Sequence, residues 1–288
     1  MKFQSKIFIT VCTFFASFFT ACKHEILNFK EPESIVTTEA FMYVANVNGS
    51  YDKKDSNGYI TKLYKNGKVY DTLFIGGLDS PKGLCIIKNN LYFTDIDKVL
   101  GYNIITKQKV FELDLSAYKT QFLNDICKDD SGNIFVSATD INEIFKINLS
   151  TKSIYPLDFR KELNGPNGLD FRNDTLYIAE LGNDSIHGGL ALIEFKDGRI
   201  IYNRLVYDIG YLDGIFQLND DIYFSDWSDS DKKKMSSKIK KFNFKTRKIT
   251  VMESPELSGC ADMFFDKKTN QIFAPLMTLN KVVILPIK

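Results

Sequence analysis

"NGPNGLDFRNDTLYIAELGND", residues 164–184, decides the fold, because its plan is repeated along the chain. Pro166-Asn167-Gly168 leads into two short runs of strand-forming residues, separated by the turn pair Asn173-Asp174. The same plan recurs in "SPKGLCIIKNNLYFTDID" (80–97), "FLNDICKDDSGNIFVSATD" (122–140), "YLDGIFQLNDDIYFSDW" (211–227) and "GCADMFFDKKTNQIFAPL" (259–276). In each, a polar or small residue is followed by Gly or Asp, an apolar residue, a turn, and a second run of aromatic and β-branched type. "PESIVTTEAFMYVAN" (32–46) fits the same register, since Glu33 precedes Met42 by the interval that separates Lys82 from Leu91. The equivalent leading residues are therefore Glu33, Lys82, Asn124, Asn167, Asp213 and Ala261, at intervals of 49, 42, 43, 46 and 48. A period of about 40 to 50 residues marks a repeat architecture.

A further hairpin follows each of the first five pairs. "GYITKLYKNGKVYDTLF" turns at Asn66-Gly67 and "LALIEFKDGRI" at Asp197-Gly198, while the others turn through Thr106-Lys107, Thr151-Lys152 and Thr246-Arg247. Four strands per repeat and six repeats predict an all-β, six-bladed β-propeller with a central channel. The last repeat stops after "NKVVILPIK", one strand short, and "HEILNFK" (24–30) is a spare apolar segment at the other end of the chain. This N-terminal segment is predicted to supply the missing strand and close the ring, removing exposed edges.

Composition agrees. The chain has 288 residues, 44% apolar and 25% charged, with 24 Phe and 14 Tyr, enough to bury a sizeable core and biased toward sheet. Its formal net charge of +1, with no basic stripe, argues against nucleic acid as a partner. Residues 1–21 read as a leader, with Lys2 and Lys6 flanking an apolar run, Ile7 to Phe19, too short to span a bilayer. "FFTAC" (18–22) resembles a bacterial lipoprotein processing site, which implies cleavage before Cys22 and lipid on its thiol; cleavage without lipid is the alternative. Residues 22–288 are then one exported propeller domain, membrane-associated only through its N-terminus and facing the periplasm or the cell surface. Cys85, Cys127 and Cys260 cannot all pair and are expected to be buried small hydrophobes.

The leading residues begin the innermost strands and so form a ring at one mouth of the channel. The hairpins return Asn46, Asp95, Glu180 and Asp226 toward the same mouth. Glu33, Asn167 and Asp213 offer two carboxylates and an amide oxygen, hard ligands suited to calcium, magnesium, manganese or zinc. The competing reading is that Asn-Gly and Asp-Gly are ordinary turn chemistry ahead of a strand.

"PNGLDF…LYIAE", "LNDICKDDSGNIFV" and "LDGIF…IYFSD" resemble repeats of the gluconolactonase and senescence-marker-protein (regucalcin) family, relatives of the NHL-type propellers, and the likeness spans the mature chain. The resemblance implies that Glu33, Asn167 and Asp213 bind a divalent metal, that Asn124 holds substrate or water, and that Asp213 is also the general base. The chain departs from the family at Phe122, where an Arg usually grips substrate, and at Glu33, which Ser34 and Ile35 follow instead of Gly-Pro. Lys82 enters the ring and has two readings: an anion grip for substrate, or a charge that neutralises the carboxylates in place of metal.

Two functions follow. The resemblance implies metal-assisted hydrolysis of a lactone or related ester, with a lactone or sugar acid as ligand; no Gly-x-Ser-x-Gly nucleophile elbow is present. The alternative is a propeller without chemistry that presents its loops to a small ligand or protein partner. The segment 52–64 lacks EF-hand ligands at its first and last positions and reads as a solvated loop, as does "SDSDKKKMSSK" (228–238). His187, in "GNDSIHGG", lies on a connection at the mouth end, where it either overhangs a ligand or is a surface residue.

Overall fold

The computed structural model describes residues 24–183, 185–228 and 236–287. Residues 1–21, expected to be a leader, Cys22 and most of the charged segment 228–238 lie outside the described residues. Six sheets are arranged as the repeats predict. Blade one is β2 (Pro32–Thr37), β3 (Phe41–Asn46), β4 (Gly58–Tyr64) and β5 (Val69–Leu78). Blade two is β6 (Pro81–Ile87), β7 (Asn90–Asp95), β8 (Lys98–Asn103) and β9 (Lys109–Asp114). Blade three is β10 (Leu123–Lys128), β11 (Ile134–Ala138), β12 (Glu143–Ile147) and β13 (Ile154–Pro156). Blade four is β14 (Pro166–Arg172), β15 (Thr175–Glu180), β16 (Gly188–Lys196) and β17 (Arg199–Gly210). Blade five is β18 (Leu212–Leu218), β19 (Asp221–Asp226), β20 (Ser236–Asn243) and β21 (Ile249–Val251). A two-residue strand, β22 (Leu257–Ser258), adds to β20. Blade six is β23 (Phe264–Asp266), β24 (Gln271–Leu276) and β25 (Lys281–Pro286), completed by β1 (His24–Leu27) from the other end of the chain.

The apolar side chains explain why the blades stay together. They form six clusters, one at each seam between neighbouring blades, rather than one central core. Aromatic faces bridge the seams: Phe135 stacks on Phe171 at 5.4 Å, and Phe216 on Phe265 at 5.2 Å. Cys85 and Cys260 are free thiols buried in such clusters, and Cys127 packs at the edge of another, as small hydrophobes.

The outer turns follow two chemistries. Gly67, Asp197 and Gly198 take the left-handed angles a tight hairpin needs. In blades two, three and five, Lys107, Lys152 and Arg247 adopt φ of 60°, 59° and 57°. There the side-chain oxygens of Asn103, Asn148 and Asn243 each accept from the backbone N–H and the hydroxyl of the Thr three positions on, fixing the turn.

The seam between blades six and one depends on the clasp, because Ile26 and Phe29 are buried there against Ile35, Met42 and Val282. Ile26→Asp should therefore destabilise the domain by about 3 kcal/mol or more, through an unpaired charge in an apolar seam. Urea unfolding followed by circular dichroism measures this, and a loss below about 1 kcal/mol would show that the ring holds without its clasp.

Candidate functional site

Each of the first five innermost strands begins with a residue paired to the end of the second strand: Pro32 with Asn46, Pro81 with Asp95, Leu123 with Ala138, Pro166 with Glu180, Leu212 with Asp226. The register shifts immediately afterwards in all five. Such a bulge leaves a residue unpaired and re-aims its side chain. The residues it re-aims are Glu33, Lys82, Asn124, Asn167 and Asp213, all buried, and the bridge between Cys260 and Leu276 gives Ala261 the sixth place.

The glycines that follow are required by the neighbouring strand, not by a turn. None of Gly83, Gly168 and Gly214 has a positive φ. A Cβ on Gly168 would lie 2.1 Å from the carbonyl oxygen of Asp213, one on Gly214 2.3 Å from the Met263 nitrogen, and one on Gly83 2.6 Å from Asp125 Cα. Innermost strands of adjacent blades approach to backbone contact here. Hydroxyls bridge three of the seams at this level: Thr94 donates to the carbonyl of Asn124, Ser137 to that of Asn167 at 2.7 Å, and Ser225 to that of Ala261 at 3.2 Å.

Four of the five polar side chains in the ring end in an oxygen that is buried and has no hydrogen-bond donor: Glu33 Oε2, Asn124 Oδ1, Asn167 Oδ1 and Asp213 Oδ1. Asn167 is oriented by its Nδ2, which donates to the Leu212 carbonyl at 3.2 Å. Burial, then the nearby Asp213 charge, pushes the Glu33 carboxyl well above its ordinary range, and Lys82 opposes this. Burial, with Asp125 adding, pushes Asp213 up to about 7. Among the described residues, no group of three or more His, Cys, Asp or Glu side chains is arranged to hold a metal; the ring offers carboxylate and amide oxygens together.

Lys82 is buried and its ammonium has three acceptors: the Ser80 hydroxyl at 3.0 Å, the Tyr51 carbonyl at 3.1 Å and the Ser80 carbonyl at 3.3 Å. Burial lowers it to about 8, against the pull of Glu33 and Asp95. Beneath the ring lies a second acidic tier. Asp125 accepts from the N–H groups of Ile126 and Leu169, each at 2.6 Å, and Asp262 accepts from the Ser34 hydroxyl at 2.6 Å. Both carboxyls are raised chiefly by burial, Asp125 to about 7. These two aspartates occupy the place that Gly holds in blades two, four and five, the one signal by which the repeat alignment exposes them. A cavity of about 880 Å³ opening on the opposite face reaches this tier past Ile35, Leu84, Leu169 and Ile215.

The ends of the second strands serve the backbone rather than the mouth. Asn46 accepts from Lys30 N–H, Asp95 from Asp79 and Ser80, Glu180 from Asn164, and Asp226 from Tyr211 and Ser228. Each carboxylate or amide thus caps the chain as it enters its blade. Glu180 is also paired with Arg204, whose guanidinium lies 5.0 Å from the Tyr207 ring. Arg204→Met should cost about 3–5 kcal/mol by leaving Glu180 buried and uncompensated, read as a fall in the urea midpoint; a change under about 1 kcal/mol would show that the backbone cap alone satisfies Glu180. His187 pairs with Asp208 at 3.0 Å and sits edge-on to Tyr211.

The fold is that of a six-bladed propeller, and solved structures share it across nearly the whole chain. A streptogramin B lyase superposes with a TM-score of 0.63 at 15% identity, covering 92% of this chain and 97% of its own. The hydrazine synthase of Kuenenia stuttgartiensis gives 0.64 at 15% identity, covering 91% of this chain and 78% of its own. The extracellular domain of a putative hybrid two component system from B. thetaiotaomicron gives 0.55 at 16%, covering 88% of this chain and 34% of that one. At these identities the likeness concerns the fold alone. No family model matches the sequence. No curated protein matches it either.

Proposed function

We propose that the channel mouth holds a divalent cation through Glu33, Asn167 and Asp213, with Asn124 directed at substrate or water, and that the protein hydrolyses a lactone or related ester. The observation that carries this reading is the set of four buried oxygens, one on each residue, that no protein donor satisfies. Leaving such groups unpaired costs about 1–3 kcal/mol each, and a hard cation of the calcium, magnesium, manganese or zinc type accepts that donor set. When bound, the cation supplies polarisation of the acyl carbonyl and a more acidic water.

The chain's own groups do the rest. Asp213, with one oxygen left without a donor, is the carboxylate placed to act as general base. Hydrolysis adds water across the acyl–oxygen bond: the hydroxyl joins the acyl carbon, and the proton passes through Asp213 to the departing alkoxide. Lys82, its donors occupied, acts on a substrate only through its charge. The same charge beside Glu33 is the observation that favours the second reading, a propeller that binds a small ligand or protein without metal or chemistry.

Metal content, with calcium- or manganese-dependent thermal stabilisation of the lipid-free domain, separates the two. The hydrolase reading expects about one cation per chain, lost in Asp213→Ala and Asn167→Ala. No cation and no stabilisation at millimolar concentration would overturn it. The reading of residues 1–21 as a leader and Cys22 as a lipid carrier completes the proposal, as an exported protein tethered beside blade six, where β1 begins. Mass spectrometry of the N-terminal peptide tests it, and an unmodified Cys22 would refute the tether.

A further inference from the structure

Two aromatic rings face each other at the rim of the mouth. Tyr51 comes from the connection between β3 and β4, and Phe122 lies two residues ahead of Asn124; their centroids are 5.3 Å apart, with planes inclined at 51°. Tyr51 is 56% exposed and Phe122 half-buried, so neither ring belongs to a seam cluster. Lys82 joins the two elements, because its ammonium lies 5.0 Å from the Phe122 centroid while donating to the Tyr51 carbonyl. Its other hydrogens go to Ser80, and Lys54, from the same connection as Tyr51, is paired with Asp97. The wall beside Asn124 therefore presents π-faces, and the two cations next to it are already engaged.

We propose that Tyr51 and Phe122 are the substrate-side platform of the site, and that the protein takes uncharged lactones or esters bearing an aryl or alkyl substituent in preference to polyhydroxylated sugar acids. The proposal rests on the reading of the mouth as a hydrolase site and adds its substrate class. An aromatic platform rewards a flat apolar substituent by offset or edge-to-face contact. A polyhydroxylated ring placed there would lose water from several hydroxyls and find a single polar partner in the two side chains, the Tyr51 hydroxyl.

The test uses γ-phenyl-γ-butyrolactone, unsubstituted γ-butyrolactone and D-glucono-δ-lactone as probes. Binding is followed by saturation-transfer NMR and cation content is measured on the same samples. Wild type should bind the phenyl lactone most tightly, with the strongest transfer to the phenyl protons. Phe122→Ala should weaken that binding about tenfold while leaving γ-butyrolactone within about twofold and the cation content unchanged. Tyr51→Ala, at an exposed position, should weaken the phenyl lactone alone and serves as the variant least able to disturb folding. Preference for the gluconolactone, or phenyl-lactone binding indifferent to both substitutions, would overturn the platform even if cation is present. Phenyl-lactone binding that depends on Phe122 in a protein without cation would support the platform and count against the hydrolase reading instead.

Discussion

Asp213→Asn should melt at a higher temperature than the wild type in EDTA and should no longer respond to calcium or manganese. Burial, with the neighbouring Asp125, pushes the Asp213 carboxyl up to about 7, while one of its oxygens has no donor. A carboxyl whose folded value is raised holds its proton in the folded chain when the unfolded chain has already released it. Stability of the cation-free protein therefore falls as pH rises from about 4 to about 7, and the loss is complete above that window. Asparagine keeps the shape and removes the charge, so the variant should gain about 2 kcal/mol at pH 8, a rise of about 4–8 °C in a domain of this size. Cation reverses the order, because only the wild type binds it; at a hundred times its dissociation constant a ligand adds about 2.7 kcal/mol. Calorimetry between pH 5 and 8, with and without calcium, reads both effects. A variant that melts lower than wild type in EDTA would mean that Asp213 is a structural anion rather than a poised ligand.

Gly168→Ala should be among the most damaging glycine substitutions at the ring. The new Cβ would fall 2.1 Å from the carbonyl oxygen of Asp213, a backbone atom that cannot swing aside, and 3.1 Å from the Ile215 side chain. Blades four and five would have to part at their innermost strands, at a cost of about 3 kcal/mol or more. Asn167 and Asp213 flank this contact, so cation affinity should fall with stability. Gly76→Ala is the control, since nothing lies within 4 Å of its added Cβ and its φ is not positive. That variant should stay within about 0.5 kcal/mol of wild type in urea unfolding. Equal behaviour of the two would show that the close approach of the blades at Gly168 is not a constraint.

The contrast explains what could be read from the sequence. The six blades were legible because a hairpin that buries both faces must repeat its alternation and its turns, and because "NKVVILPIK" leaves the last sheet one strand short. The ring register was legible from the intervals between Glu33, Lys82, Asn124, Asn167 and Asp213, since a propeller places equivalent residues at equal depth. Asn46, Asp95, Glu180 and Asp226 point a different lesson. Their position at the strand ends was correct, but periodicity cannot distinguish a carboxylate that faces the axis from one that folds back onto the incoming backbone. The glycines after the leading residues likewise looked like turn formers, because the need for them lies in the next blade. β22 left no trace, since two residues paired to β20 carry no periodicity at all.

The clasp between β1 and β25 also sets when this molecule can become native. Glu25 and Lys281, joined across that pair, stand 256 positions apart, so the seam between blades six and one cannot form until nearly the whole chain has been delivered. Contacts of such separation form late, after the local hairpins. The other five blades can pair from contiguous chain, and β1 then waits for β25 before the ring can close.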